Sequence, residues 1–108
     1  MNKKKKIVIL GGGISNEREI SIKSAKSVYK ELKNNKYKNI QILEPDKNLI
    51  KNLKKIKPNI IFNALHGTFG EDGFIQSILE NLKIKYTHSG VTSSSTAMDK
   101  LISKKIFI

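Results

Sequence analysis

The chain has 108 residues, a net charge of +12 and no cysteine. That length admits one ordinary domain, and the missing cysteines exclude disulfides, thiolate metal sites and cysteine nucleophiles. Hydrophobic residues make up 38% and aromatic residues 6%, with no tryptophan, so the core must be aliphatic, and no Ser- or Gly-rich linker divides the chain in two.

Residues 6–10 (KIVIL) form a short continuous apolar run closed by Gly11, Gly12 and Gly13. Such a run suits a strand buried on both faces of a parallel sheet. Asn16 can cap a helix, with Glu19 three residues on as in a capping box. Ile22, Ala25, Val28, Tyr29 and Leu32 then recur at helical spacing, with Lys23, Lys26, Lys30 and Lys33 on the wet face, and the pattern ends at Asn34 and Asn35.

A second strand is expected at residues 40–43 (IQIL), stopped by Glu44 and Pro45. Residues 47–57 carry Leu49, Ile50, Leu53 and Ile56 as a short amphipathic helix. Pro58 leads into a third strand over residues 59–65, followed by the glycine-rich loop 66–73 (HGTFGEDG). Residues 74–82 read as a helix with Ile75, Ile78, Leu79 and Leu82 inward. Residues 84–87 read as a brief fourth strand. A Gly/Ser loop spans residues 89–95, and a last helix begins at Thr96.

The alternation β-α-β-α-β-α-β-loop-α implies an α/β fold: a three-layer, open, mostly parallel sheet with helices on both faces and right-handed crossovers. Ligands in such sheets sit at the carboxyl ends of the strands. The loops after strands one, three and four lie at that edge and hold the chemically interesting residues.

Each loop has more than one reading. The three glycines precede a helix, but Asn16 stands where the last glycine of G-x-G-x-x-G belongs, and there is no Gly-Lys-Ser/Thr of a P-loop. A tight turn at positive φ explains them as well as a phosphate cradle does. Glu19 suits a first helical turn through the helix dipole, whereas Glu17, facing the crevice, can pair with a substrate ammonium group. His66 either hydrogen-bonds a substrate or braces its loop. Glu71 and Asp72 read as helix-start residues. With His88 as the second of two histidines, no metal cluster is expected. Lys100 on its own is one more solvated lysine.

Taken together and in order, these motifs resemble the D-alanine–D-alanine ligase family. The family has a Gly-Gly turn and a Ser-x-Glu-Arg-Glu-[Val/Ile]-Ser segment, matched here by residues 12–21. Its Ala-Leu-His-Gly-x-x-Gly-Glu-Asp-Gly element is matched by residues 64–73, its Tyr-Thr-Gly-Ser-Gly-Val element by residues 86–91, and its Ser-x-x-Met-Asp-Lys element by residues 95–100. Two departures stand out: His88 where glycine is usual, and Ile14 where a small residue or Thr is common.

The resemblance implies the N-terminal, Rossmann-like domain that precedes the ATP-grasp domains. The full-length enzyme would join two D-alanines with ATP and Mg²⁺ as cofactors, supplying peptidoglycan synthesis in the cytoplasm as a homodimer. Glu17, the expected catalytic residue, would pair with the ammonium of the first D-alanine, and Ile20 would lie beside its methyl group. His66 would orient that amino acid, with Gly67, Gly70 and Gly73 shaping the loop. Lys100 would approach the ATP phosphates. The chain stops at Ile108 within an expected helix, so the central and C-terminal domains are expected elsewhere. No ligase activity, and no cofactor held, is expected of this stretch alone.

Two partners suggested by composition are not expected. Twenty of the 21 basic residues are lysines spread along the whole chain, and one is Arg18, whereas nucleic-acid surfaces also use arginine forks. Lys, Asn and Ile share A/T-rich codons, which explains the charge. The basic N-terminus leads into only four apolar residues, too few for a signal peptide, and no stretch approaches the roughly 20 needed to span a bilayer. A stand-alone nucleotide- or nucleic-acid-binding module is the alternative reading.

Overall fold

The computed structural model describes residues 4–13, 17–65 and 73–87. Its elements run β1 (Ile7–Leu10), α1 (Arg18–Asn34), β2 (Ile40–Leu43), α2 (Leu49–Ile56), β3 (Ile60–Asn63), α3 (Phe74–Asn81) and β4 (Lys85–Tyr86). The four strands form one parallel sheet in the order β2-β1-β3-β4. Ile7 pairs with Ile40 on one side and Ile60 on the other, so β1 is central.

Position in the sheet explains the strand sequences. β1 and β3 are buried along their whole length and are apolar on both faces, as parallel strands covered by helices must be. β2 lies at the edge, is only partly buried, and accommodates Gln41. Alternate residues of the central strands point to opposite faces. Ile7, Ile9, Ile60 and Phe62 pack with Ala25, Val28 and Leu32 of α1. Val8, Leu10 and Ile61 pack with Leu49 and Leu53 of α2 and with Ile75 and Leu79 of α3. The result is the expected three-layer α/β arrangement, with, among the described residues, one long helix on one face and two short ones on the other.

The helical periodicity read from sequence holds in detail for α1: Ala25, Val28 and Leu32 are buried while Lys23, Lys26, Lys30 and Lys33 are exposed. Two local expectations change. The N-cap of α1 is Glu17, one residue later than a capping box built on Asn16 would place it, and no side-chain hydrogen bond caps the helix. Asn16 itself lies outside the described residues. Ile50, expected inward on α2, is 45% exposed, because it sits at the rim of the α2–α3 cleft rather than under it. The last helix, expected from Thr96 onward, also lies outside the described residues.

Candidate functional site

The carboxyl edge of the sheet is built from residues that extend the strand ladders and then turn away. Gly11 N–H donates to the Leu43 carbonyl, Ala64 N–H to Leu10, and Thr87 N–H to Ile61. These bonds bring the start of the β1–α1 turn, the end of β2, the residue after β3 and the residue after β4 to one edge. That edge is where an open α/β sheet holds its ligand.

The β1–α1 turn depends on what stands against it. A Cβ on Gly11 would lie 2.5 Å from the Cβ of Ala25, so glycine there lets α1 approach β1. Gly12 has φ +93°, and a Cβ on it would meet the Glu44 carboxyl carbon at 2.7 Å. The amides of the three glycines are engaged. Gly11 donates to Leu43, Gly12 to the Ser21 hydroxyl at 2.9 Å, and Gly13 to Glu44 Oε2 at 3.3 Å. A phosphate cradle needs such amides free and no carboxylate beside them. The glycine run is therefore a structural turn, and the phosphate-binding reading falls.

Ser21 is fully buried and joins two loops. Its hydroxyl accepts the Gly12 N–H and donates to the Ala64 carbonyl at 2.7 Å, across 43 residues of sequence. The β1–α1 turn and the segment leading to His66 thus share one hydroxyl. Asn63 works similarly at the end of β3. Its Oδ1 accepts the Leu65 N–H at 3.1 Å, and its own N–H donates to the Thr87 hydroxyl at 2.9 Å. Its Nδ2 is buried with no hydrogen-bond partner.

At the start of α1, the Arg18 guanidinium grips Glu44 with two bonds, Nε to Oε2 at 2.7 Å and Nη2 to Oε1 at 2.8 Å. Hydrogen bonding to Arg18 holds the Glu44 carboxyl below its ordinary range against the opposing effect of burial, and the Arg18 charge and the Gly13 amide add to the lowering. The same bond and charge raise Arg18 above its ordinary value.

Of the substrate-site residues singled out from sequence, Glu17, Ile20 and Gly73 are placed, Gly73 as the N-cap of α3 at φ +88°. Glu17 is exposed at the N-terminus of α1, beside the turn at the carboxyl edge. Ile20, one helical turn on, is 53% exposed, unusual for a large aliphatic side chain. His66, Gly67 and Lys100 lie outside the described residues, as do Gly70, Glu71, Asp72 and His88. Sequence reasoning singled out neither Ser21 nor Glu44. A signal for Glu44 existed in the lone arginine, whose planar fork calls for a carboxylate partner.

A family model described as the D-ala D-ala ligase N-terminus matches residues 41–89. The chain is 67% identical over 104 residues to a D-alanine–D-alanine ligase of Pelagibacter ubique, covering 96% of this chain and 34% of that protein. It corresponds to the N-terminal domain of D-alanine–D-alanine ligase. A second such ligase, from Wolbachia pipientis, is 54% identical over 94% of the chain and 32% of the relative. In fold, the chain superposes on the crystal structure of the Bacillus anthracis D-alanine–D-alanine ligase complexed with ATP. The TM-score is 0.65 at 28% identity, covering 94% of this chain and 36% of that one. The chain thus spans about a third of the length of the ligases it matches.

Among the described residues no cluster of His, Cys, Asp or Glu could hold a metal ion, and no helix is long and apolar enough to cross a membrane.

Proposed function

We propose that this domain forms one wall of the first D-alanine site in an ATP-dependent D-alanine–D-alanine ligase, a cytoplasmic, homodimeric enzyme that supplies dipeptide for peptidoglycan synthesis. The observation that carries the reading is the 67% identity to a D-alanine–D-alanine ligase across nearly the whole chain. The architecture supports it, since Glu17 and Ile20 stand together on the first turn of α1 at the ligand-bearing edge.

A zwitterionic amino acid needs an opposite charge for its ammonium group, and the Glu17 carboxylate supplies one. Ile20 offers an apolar surface for the methyl group, which accounts for its exposure in this domain taken alone. His66 and Gly67, on the loop that follows β3, are assigned to the substrate from the resemblance. As the site closes and water leaves, the Glu17–ammonium attraction strengthens.

The described residues do not fit ATP or Mg²⁺. The glycine-turn amides are engaged by Leu43, Ser21 and Glu44, and no metal cluster is present among the described residues. We assign ATP and Mg²⁺ to other parts of the ligase, with Lys100 at their boundary. The engaged amides also weigh against a stand-alone nucleotide module.

The test is D-alanine-dependent ADP release by the full-length protein. Glu17→Gln is expected to raise KM for the first D-alanine by at least about tenfold, as loss of a charge-assisted contact worth roughly 1.5–3 kcal/mol implies. Wild-type kinetics in that variant would remove Glu17 from the site.

A further inference from the structure

The β1–α1 turn is gripped at both ends by a residue that is distant in sequence. Glu44 follows β2, yet its Oε2 accepts the Gly13 N–H on the upstream side and Arg18 Nε on the downstream side, while Oε1 takes Arg18 Nη2. The same carboxylate fills the space where Gly12 would carry a side chain, with Oε2 2.8 Å from that Cβ position.

Three facts make this more than a surface ion pair. First, α1 has no side-chain cap hydrogen bond at its N-terminus, so its start draws on contacts from across the turn. Second, its first residue is a cation, the sign that a helix N-terminus disfavours, and Glu44 offsets it from across the turn. Third, Arg18 is the single arginine among 21 basic residues, and a two-pronged grip on a carboxylate is the geometry arginine supplies and lysine does not. Exposed ion pairs add little to stability, and both side chains are close to half exposed. The value of the pair lies in placement.

The geometry points to Glu44 as a positioning residue for the amino-acid site: through Arg18 it fixes the start of α1, and with it the direction in which the adjoining Glu17 presents its carboxylate. This rests on the ligase reading. It predicts that Glu44→Gln and Arg18→Lys in the full-length protein each raise KM for the first D-alanine about tenfold, short of the hundredfold that an ångström of misplacement can cost, with kcat changed less than twofold. Glu44→Asp, which keeps the charge, should recover part of the loss, as should the exchanged pair Arg18→Glu with Glu44→Arg. A KM for Glu44→Gln within twofold of wild type overturns the proposal, and so does an equal fall in kcat.

A wild-type protein with no D-alanine-dependent turnover sinks the ligase reading and the role in the site with it. Hydrogen exchange then judges the grip itself. A peptide covering residues 11–20 should exchange at least several-fold faster in Glu44→Gln, and an unchanged rate would show that Glu44 does not hold the turn.

Discussion

The two faces of the sheet solve the same packing problem differently. On one face the 17-residue helix α1 covers the sheet with Ala25, Val28 and Leu32, and its first turn is tied down by Ser21 and by the Arg18–Glu44 pair. On the other, two eight-residue helices bury Leu49, Leu53, Ile75 and Leu79 but leave Ile50 and Phe74 about half exposed around an apolar cleft of about 340 Å³. The hydrogen bonds and the ion pair that tie down a helix start lie where the first face meets the carboxyl edge; the helices of the second face are held chiefly by apolar contact. A site for a charged amino acid needs fixed polar groups, and the start of α1 is where Ser21 and the Arg18–Glu44 pair hold them.

The strongest way to break this contrast is in the core beneath α1. Phe62→Ala removes a fully buried ring from that face and is expected to cost about 3–5 kcal/mol in urea denaturation. Ser21→Ala comes next. It strands the buried Gly12 N–H and Ala64 carbonyl, at about 1–3 kcal/mol. A loss under about 0.5 kcal/mol would mean that water enters the gap and that the two loops are not joined as described.

The second face has its own probe in Tyr86. Burial, then the Glu80 carboxylate that accepts its hydroxyl proton at 2.8 Å, push Tyr86 up to about 12. The folded state therefore holds this proton more tightly than the unfolded one. The associated stability is whole below the ordinary tyrosine value near 10 and is lost as pH rises toward 12. Tyrosinate absorbance should show the Tyr86 ring titrating late and moving toward the ordinary value in Glu80→Gln.

Glu44 has the opposite sign. Its lowered pKa contributes stability above the ordinary carboxylate value, lost as pH falls through the depressed one. The slope between about pH 5 and pH 3 should be shallower in Glu44→Gln, by a small margin because the pair is exposed. Smallest of all, Phe74→Ser at the rim of the cleft should shift stability by no more than about 0.5 kcal/mol. A larger cost would show that the second face is closed in solution and the contrast overdrawn.

What could be read from sequence follows from the range of each interaction. The strand at residues 40–43 was legible to the residue, because an apolar run ended by Glu44-Pro45 carries its own boundaries. The wet and dry faces of α1 were legible because a 3.6-residue repeat is local. The start of α1 was not. It is set by Glu44, 26 residues from Arg18, and by a Ser21 bond reaching 43 residues to Ala64, neither of which leaves a periodic trace. The site was legible chiefly as motifs in order. Glu17 and Ile20 lie where that order put them, and His66, Gly67 and Lys100 fall on residues outside the description.

The central position of β1 has a consequence for synthesis. β1 cannot be completed until β3 has been made, because Ile7–Leu10 pairs with β2 on one side and with β3 on the other. At translation rates of about 5–20 residues per second, some 3–10 s separate the appearance of Leu10 from that of Asn63. Through that interval the β3 side of four consecutive apolar residues stays unpaired. The lysines at positions 3–6 directly precede them, and a block of like charge beside an apolar strand keeps nascent chains from pairing through it. On this view part of the chain's excess of lysine guards its own assembly.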